Sequence, residues 1–315
     1  MVAAGLVGVL SDRRPRLNTT LKDWQRRGTH LPLWGHDIFY VEQGEPARPA
    51  VLLIHGFPTA GWDWHQVLNK LQAFHVLVPD MLGYGFSAKP SPHHYTTAEQ
   101  ADILEAFLDA KGVRECHVLA HDYGDTVAQE LLARDNERGA NRRVQSIALL
   151  NGGLFPEATR PRVIQKLMLG PLGPMVVKLV SRRTLARNMR AIFGPDTPPS
   201  DAEIDALWTL IQFNQGRRVF HRLIQYINER DTFRERWLGA LRDTPVPRVL
   251  INGSADPISG AHLAARYGEL ISAAEVIALP DVGHYPQIEA PQDVARHYLE
   301  FLQREFSAGE KKPDV

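Results

Sequence analysis

Short apolar runs alternate along most of the chain with segments in which apolar residues recur every three or four positions. The runs AVLLI, HVLVP and CHVLA, at 50–54, 75–79 and 116–120, are almost wholly apolar, as in strands buried on both faces of a parallel sheet. Residues 36–41 alternate instead and predict a hairpin with the residues before Gly35. Because helical spacing follows most runs, the chain predicts an α/β fold, with a mostly parallel sheet and helices on both faces.

Two early helices can be delimited from the pattern. Helical spacing covers residues 65–74, HQVLNKLQAF, and residues 96–112, TTAEQADILEAFLDAKG. For the second helix, Thr96 or Thr97 is a suitable N-cap, and Gly112 is suited to end it. We therefore expect a long helix in each of these places.

The pattern changes between residues 154 and 243, where helical spacing continues without a convincing strand. Strand-like runs return at 245–257 and 274–280. We therefore predict an N-terminal extension (1–29), a core in two parts (30–153 and 244–308) and a helical lid (154–243) between the sixth and seventh strands. Such an insertion follows a strand's carboxyl end and can roof a pocket there.

The composition is that of an ordinary globular enzyme: 315 residues, 44% hydrophobic and 23% charged, with a net charge of zero. Zero net charge gives no electrostatic reason to expect nucleic acid or an anionic membrane as a partner. The single cysteine, Cys116, excludes an internal disulfide and is expected to be a packed core thiol. His93 and His94 share no ligand spacing with carboxylates, so neither a metal nor a cofactor is predicted.

An apolar run at the N-terminus, VAAGLVGVL, bears on localisation. It spans residues 2–10 and has no basic region before it, and it is too short to cross a bilayer. A cytoplasmic protein is expected, and membrane association through this run is the alternative. The oligomeric state is not predicted.

Residues 120–126, AHDYGDT, have the context of a nucleophile elbow, with a strand before, a glycine in the turn and a helix after. Asp122 stands where the usual motif has serine. Asp256 and His284 follow later strand-like runs. Nucleophile, acid, histidine is the chain order of an α/β-hydrolase triad, so these three residues are predicted to be catalytic.

The HGFP stretch at residues 55–58 follows the first parallel strand. In this fold that loop and the residue after the nucleophile each supply a backbone N–H to an oxyanion hole. Pro58 cannot donate, so the predicted donors are the amides of Phe57 and Tyr123. Each such donor is typically worth about 2.7–4 kcal/mol of barrier.

Over roughly residues 30–305 the chain resembles the α/β-hydrolase superfamily, and in particular its epoxide hydrolase and haloalkane dehalogenase branch, whose nucleophile is aspartate. Within that branch it is most similar to the mesoderm-specific transcript protein group. The resemblance rests on HGFPT, DMLGYGFSAKPSPHHY, HDYGDTVAQELL, NGGLFPEATRP, LIQYINER and HYPQIE. These motifs run through the predicted lid as well as the core.

An aspartate nucleophile favours displacement at saturated carbon. A carboxylate with a reference pKa near 3.9 is ionised without help from a base, but with an ester or amide it would form a mixed anhydride less stable than the substrate. Asp122 would instead form an alkyl ester, which water activated by His284 and Asp256 would hydrolyse. A small apolar epoxide is the favoured substrate and a haloalkane the alternative. Ester or lactone hydrolysis, and a catalytically retired binding protein, stay open.

Leaving-group stabilisation separates the alternatives. For a halide leaving group, the resemblance implies side-chain N–H donors at positions 57 and 123, but Phe57 and Tyr123 have none. For an epoxide, it implies two lid tyrosines, but residues 154–243 contain only Tyr226. Further candidates for the substrate pocket are Trp62, Trp208 and His221.

Three charge patterns near these residues are also interpreted. Arginines that would hold a small anionic substrate in fluoroacetate-type dehalogenases are absent at positions 123 and 126. Asp125 is expected to be a favourable charge in the first turn of its helix. The stretch RDTFRERW, 230–237, is expected to be a solvated helix face.

Overall fold

The computed structural model describes residues 15–273 and 275–309, with side chains as far as residue 305. The apolar run at residues 2–10 lies outside this part. Among the described residues, no helix is both long and apolar enough to cross a membrane.

Eight strands form one sheet in the order β1-β2-β4-β3-β5-β6-β7-β8. The first two pairings of that order, β1 with β2 and β2 with β4, are antiparallel, and all others are parallel. The predicted mostly parallel sheet is therefore confirmed. The strands are β1 (Gly28–Leu33), β2 (His36–Gln43), β3 (Ala50–Ile54), β4 (His75–Pro79), β5 (Cys116–His121), β6 (Val144–Leu150), β7 (Arg248–Gly253) and β8 (Glu275–Leu279).

The predicted N-terminal hairpin is present. Strands β1 and β2 are joined by Trp34 and Gly35, both with positive φ (51° and 79°), as a two-residue hairpin turn requires. Before the hairpin, within the predicted extension, a helix buries Leu21 and Trp24 in the core. The described part of that extension is thus packed on the domain.

Helices flank the sheet and fill the segment between β6 and β7. The helices are α1 (Thr19–Arg27), α2 (His65–Leu68), α3 (Thr97–Ala110), α4 (Tyr123–Arg138), α5 (Val163–Leu169), α6 (Gly173–Leu179), α7 (Arg182–Arg190), α8 (Asp201–Gln212), α9 (Phe220–Leu223), α10 (Tyr226–Thr232), α11 (Arg234–Arg242), α12 (Ala261–Leu270), α13 (Pro286–Glu289) and α14 (Pro291–Gly309), with 3₁₀ turns at Gly61–Trp64, Pro156–Ala158 and Phe213–Val219.

Of the two helices predicted over residues 96–112 and 65–74, the structure confirms the first and shortens the second. For α3 the prediction is confirmed: the Thr96 side chain accepts a hydrogen bond from the Glu99 amide, and Gly112 follows with φ of 68°. The helix predicted over 65–74 is wrong in length, because α2 ends at Leu68. Beyond it the amides of Lys70 and Leu71 bond three residues back, which tightens the chain into turns before β4.

Parallel pairing brings the carboxyl ends of β3, β5, β6, β7 and β8 to one edge of the sheet. The loops leaving these ends carry Phe57, Asp122, Asn151, Asp256 and His284 in that order. The α5–α11 segment, which contains no strand between residues 154 and 243, leaves from the same edge after β6. The fold therefore gathers the candidate side chains at one place.

Candidate active site

Asp122 occupies a sharp turn between β5 and α4. Its backbone has φ of 50° and ψ of −107°, a combination that L-residues rarely adopt and that costs on the order of 1–3 kcal/mol. The turn is forced by close packing: a Cβ on Gly124 would lie 2.4 Å from the carbonyl oxygen of Ile54. Strand and helix therefore approach too closely for any residue but glycine at that position, as a nucleophile elbow requires.

The Asp122 carboxylate is buried, with 6% of the residue exposed, and its surroundings favour negative charge. The Phe57 amide donates to Oδ2 over 3.0 Å. Arg230 Nη2 lies 3.6 Å from Oδ1. The carboxylate also sits at the N-terminus of α4, where the helix dipole favours an anion. These contacts hold the two carboxylate oxygens in place at the edge of the sheet.

His55 fixes the loop that presents the Phe57 amide. The Met81 amide donates to His55 Nε2 (2.9 Å), and Nδ1 lies 2.9 Å from the Gly56 carbonyl oxygen. Burial lowers the pKa of His55 to about 4, so the ring is neutral. With Nε2 accepting, Nδ1–H must donate to Gly56, and this bond orients the peptide that ends in the Phe57 N–H.

His284 and Asp256 form a buried pair, with Nδ1 and Oδ2 2.7 Å apart. The same carboxylate accepts hydrogen bonds from the Ile258 amide (2.7 Å), the Ser259 hydroxyl (2.8 Å) and the Asn151 side-chain amide (3.0 Å). Asn151 stands at the end of β6 and was not identified from the sequence. Because Asp256 is saturated with donors, it stays ionised and holds the His284 ring in one orientation.

Electrostatics set the protonation of this pair. Burial alone would lower the pKa of His284, but the charge and hydrogen bond of Asp256, with further contributions from Asp122 and Glu289, raise it to about 9. Burial likewise acts to raise the pKa of Asp256, and His284 together with the other donors keeps it lowered. The resting pair is therefore imidazolium and carboxylate at neutral pH, and the charge of Asp122 contributes to the protonation of His284.

Aromatic rings pack around Tyr123 and Phe57, the neighbours of Asp122. The Tyr226 ring, from α10, stacks on Tyr123 with centroids 4.2 Å apart and lies 6.0 Å from Phe57. Tyr84, in the loop after β4, lies 6.2 Å from Tyr123 and is 1% exposed. Among the described residues its hydroxyl has no hydrogen-bond partner. Tyr84 is thus a second buried phenol, and it was not identified from the sequence because it lies outside residues 154–243.

Arg230 is the main functional candidate that the sequence did not reveal. It was included in a stretch expected to be solvated, yet it is 5% exposed, so that expectation is wrong for this residue. Its Nε donates to the Thr126 hydroxyl (2.8 Å), and Nη2 donates to the Asp122 carbonyl oxygen (3.1 Å). A Cβ on Gly153 would lie 2.2 Å from Arg230 Nη1, so a glycine makes room for the guanidinium. A cation from α10 is thereby fastened beneath the elbow.

We expect Arg230→Met to lower the free energy of unfolding by about 3–5 kcal/mol, because it leaves a buried carboxylate without its cation. Arg234→Met is the matched control: Arg234 pairs with Glu157 near the surface, where an ion pair is worth about 0–1 kcal/mol. Urea unfolding of both variants measures the difference. Equal losses would contradict a structural role for the Arg230–Asp122 pair.

Three further pocket candidates are held by contacts of their own. Trp62 stacks on the His65 ring with centroids 4.3 Å apart. The Trp208 ring lies under the Arg217 guanidinium at 5.4 Å. His221 packs against the backbone of α6, where a Cβ on Gly173 would lie 3.1 Å from its own Cβ. These contacts suit packing residues, and a role in the substrate pocket remains a prediction for all three.

Asp125 lies in the first turn of α4, but it does not provide the predicted favourable charge. It is fully buried under β6, and its Oδ1 accepts only a long hydrogen bond (3.4 Å) from the Leu150 amide. Burial raises the pKa of Asp125 well above its usual range and so disfavours its charged form. The expectation of a helix-stabilising anion is wrong because Gly152, in the turn after β6, covers the Asp125 carboxyl group.

The chain also brings together three possible metal ligands that share no sequence spacing. Atoms of His36, His93 and Glu99 lie within 4.8 Å of one another. His93 Nε2 is 2.9 Å from both carboxylate oxygens of Glu99, so an ordinary hydrogen-bonded pair accounts for two of the three. The absence of a metal remains a prediction.

Comparison with known proteins gives the family. Residues 51–297 match the model of the "Alpha/beta hydrolase family". The chain is 40% identical over 299 residues to the human "Mesoderm-specific transcript homolog protein", covering 91% of this chain and 89% of that protein. It is 38% identical to "Putative hydrolase LipZ" of Mycobacterium tuberculosis, covering 90% and 98%. A solved haloalkane dehalogenase variant from Bradyrhizobium elkanii superposes with a TM-score of 0.77 at 22% identity, covering 90% and 98%. The chain belongs to the alpha/beta hydrolase family.

Proposed function

We propose that the protein hydrolyses epoxides to diols through an alkyl ester on Asp122, and that the α5–α11 segment acts as a lid over this site. The observation that carries the proposal is a buried carboxylate at a nucleophile elbow, flanked by the His284–Asp256 pair and by the phenols of Tyr226 and Tyr84. A carboxylate with phenol O–H groups nearby matches the two demands of ring opening, a nucleophile and a proton donor.

In the first step an oxygen of Asp122 attacks an epoxide carbon. The ring C–O bond breaks, its electron pair goes to the departing oxygen, and that oxygen takes a proton from a tyrosine. Tyr226 is the donor from the insertion and Tyr84 is the donor from the core. Both lie in a dry, aromatic site, where a hydrogen bond to a developing alkoxide is stronger than in water.

In the second step neutral His284 removes a proton from water, and the hydroxide attacks the carboxyl carbon of the ester. The amides of Phe57 and Tyr123 donate hydrogen bonds to the resulting oxyanion. The Phe57 amide already donates to Asp122 Oδ2 in the resting protein. Collapse releases the diol and restores the Asp122 carboxylate, and the proton on His284 returns to the tyrosinate. Asp256 stabilises the imidazolium in between.

We expect Tyr84→Phe and Tyr226→Phe together to slow ester formation by about 10²–10⁴-fold, the usual worth of a general acid, and each alone to slow it less. Tyr298→Phe is the matched control, since its hydroxyl is also buried and has no hydrogen-bond partner within 15–273 and 275–309, but it belongs to α14. Pre-steady-state alkylation rates with styrene oxide measure the effect. Unchanged rates in the double variant would remove the phenols from the mechanism.

We expect the second step to accelerate with pH. Only neutral His284 can act as the base, and at rest its pKa is about 9, so its neutral fraction falls about tenfold for each pH unit below the pKa. Ester formation removes the negative charge of Asp122, one of the groups that raise this pKa, so the apparent value in the intermediate should lie below 9. A pH profile of kcat that is flat from about pH 6 upward would contradict this assignment.

The proposed function is tested with styrene oxide, bromobutane and nitrophenyl butyrate, using Asp122→Ala protein as the blank. Diol formation that exceeds the blank, with bromide release much slower, supports epoxide hydrolysis. Bromide release as the main activity would make the protein a dehalogenase. Hydrolysis of the butyrate alone would contradict the alkyl-ester chemistry, and no turnover of any of them would favour a retired fold that binds a ligand.

A further inference from the structure

Helices α5 and α6 expose large apolar side chains to solvent. Helices of a globular protein normally bury such side chains against the core. Val163 and Leu167 lie one turn apart on α5, and Met175 and Leu179 lie one turn apart on α6, so each pair shares a helix face. Of the eight strongly exposed large hydrophobic residues among those described, five belong to this region: Val163 (74% exposed), Leu167 (50%), Leu172 (61%), Met175 (64%) and Leu179 (80%).

Both helices are nevertheless anchored from beneath. Met168 and Val177 are buried against the rest of the insertion. The Arg217 guanidinium donates to the carbonyl oxygens of Val177 and Lys178 at the end of α6. The exposed apolar residues therefore belong to helices that are fixed in position, and a concentration of exposed apolar side chains indicates an interaction site.

The same region carries a concentrated positive charge. Residues 158–192 contain eight arginines and lysines and no acidic residue, in a chain whose net charge is zero. Arg182 and Arg190 pair with Asp201 and Asp205 of α8. The other six have no ion-pair partner among the described residues, and they are Arg160, Arg162, Lys166, Lys178, Arg183 and Arg187.

The arginines of α7 also line an open recess, formed by Arg182, Arg183, Ala186, Arg187, Arg190 and Ala191. Only the two residues Val180 and Ser181 separate α6 from α7, so the recess follows the exposed end of α6 directly along the chain. Apolar side chains flanked by cations are the pattern of a helix that lies in a membrane interface. Guanidinium groups in a concavity suit phosphate oxygens in particular.

We infer that the outer surface of α5–α7 binds an anionic phospholipid membrane. The apolar side chains enter the headgroup region, and the arginines and lysines bind the lipid phosphates. The zero net charge gave no reason to expect such a surface. Acidic residues elsewhere in the chain balance the arginines and lysines of residues 158–192 in the total charge.

This surface lies on the segment that reaches the candidate site. Helix α6 packs on α9 through Gly173 and His221, and on α9 the ring of Phe220 lies 5.4 Å from Phe57. An apolar substrate dissolved in a bilayer would therefore meet the protein at the insertion. The docking itself does not depend on the proposed reaction, and its test measures binding alone.

The test is flotation of the full-length protein with vesicles of phosphatidylcholine, and with vesicles of equal parts phosphatidylcholine and phosphatidylserine. We expect binding to the mixed vesicles that weakens as salt is added. Reversing four cations (Lys166→Glu, Lys178→Glu, Arg183→Glu and Arg187→Glu) should lower the affinity at least about a hundredfold, since each cation near an anionic surface contributes about fivefold. Removing four apolar residues (Leu167→Ser, Leu172→Ser, Met175→Ser and Leu179→Ser) should lower it at least about tenfold.

Matched controls change exposed residues elsewhere. Lys22→Glu, Lys70→Glu and Arg114→Glu control for charge, and Trp34→Ser with Phe233→Ser controls for exposed apolar area. Both control proteins should bind like the wild type, and circular dichroism checks that every variant is folded. Equal binding to both kinds of vesicle, or equal loss in the controls, would overturn the inference. So would the absence of vesicle binding, and a dimer that dissociates only in the serine variant would then identify a second copy as the partner.

Discussion

The His284→Gln variant is expected to accumulate a covalent ester on Asp122 when it is incubated with an epoxide. Asp122 needs no base to attack, so the first step should proceed, whereas the water that completes the reaction has lost its proton acceptor. Intact-mass spectrometry should show a gain equal to the whole epoxide, and steady-state turnover should fall about 10²–10⁴-fold. Peptide mapping should place the adduct on Asp122.

The same experiment identifies the leaving group. Opening an epoxide loses no atoms, whereas displacement of bromide adds the mass of the bromoalkane less HBr. Asp122→Ala with His284→Gln is the control and should gain no mass from either reagent. A stable adduct in the absence of Asp122 would show that another side chain is the nucleophile. An ester that forms and turns over at the wild-type rate would contradict the role of His284 as the base.

The second large effect concerns Asp122 itself, where Ala and Gly should be equally inactive but unequal in stability. Both substitutions remove the proposed nucleophile, and the loss of a nucleophile has lowered kcat by about 10⁶ in an enzyme where it was measured. We expect at least about a 10⁴-fold loss here. Both also remove the carboxylate beside Arg230, so that contribution cancels in the comparison. The remaining difference in stability comes from the backbone conformation, with φ of 50° and ψ of −107°. Glycine adopts this conformation without strain.

Asp122→Gly should therefore unfold at higher urea than Asp122→Ala. The expected difference is about 1–2 kcal/mol, after allowing for the greater entropy of glycine in the unfolded chain. Asp102 provides a control, because in the middle of α3 glycine should be about 1 kcal/mol less stable than alanine. If the two Asp122 variants were equally stable, the elbow would not store backbone strain.

The sequence by itself determined the sheet and the order of the candidate catalytic residues along the chain. Strands buried on both faces must be apolar throughout, and this signal is local, so β3, β4 and β5 could be read directly. Parallel strands place their carboxyl ends at one edge, so Asp122, Asp256 and His284 could be expected together from chain order alone. Residues 65–74 show the limit, since helical spacing was present but tertiary packing ended α2 at Leu68.

Only the tertiary structure decided which other groups surround Asp122. Arg230 lies 108 residues away along the chain, and its burial depends on where α10 docks, which the period of a helix does not encode. Tyr84 and Asn151 come from loops, whose conformation follows from packing and from hydrogen bonds to distant residues.

The electrostatics of the protein also divides into what the sequence and what the fold determines. A count of charged residues gives a net charge of zero for the whole chain, but burial raises the pKa of Asp125, and the fold leaves the cations of α5–α7 on one outer segment. Composition is a sum over the chain, whereas electrostatics depends on distance and burial, and these exist only once the chain has folded.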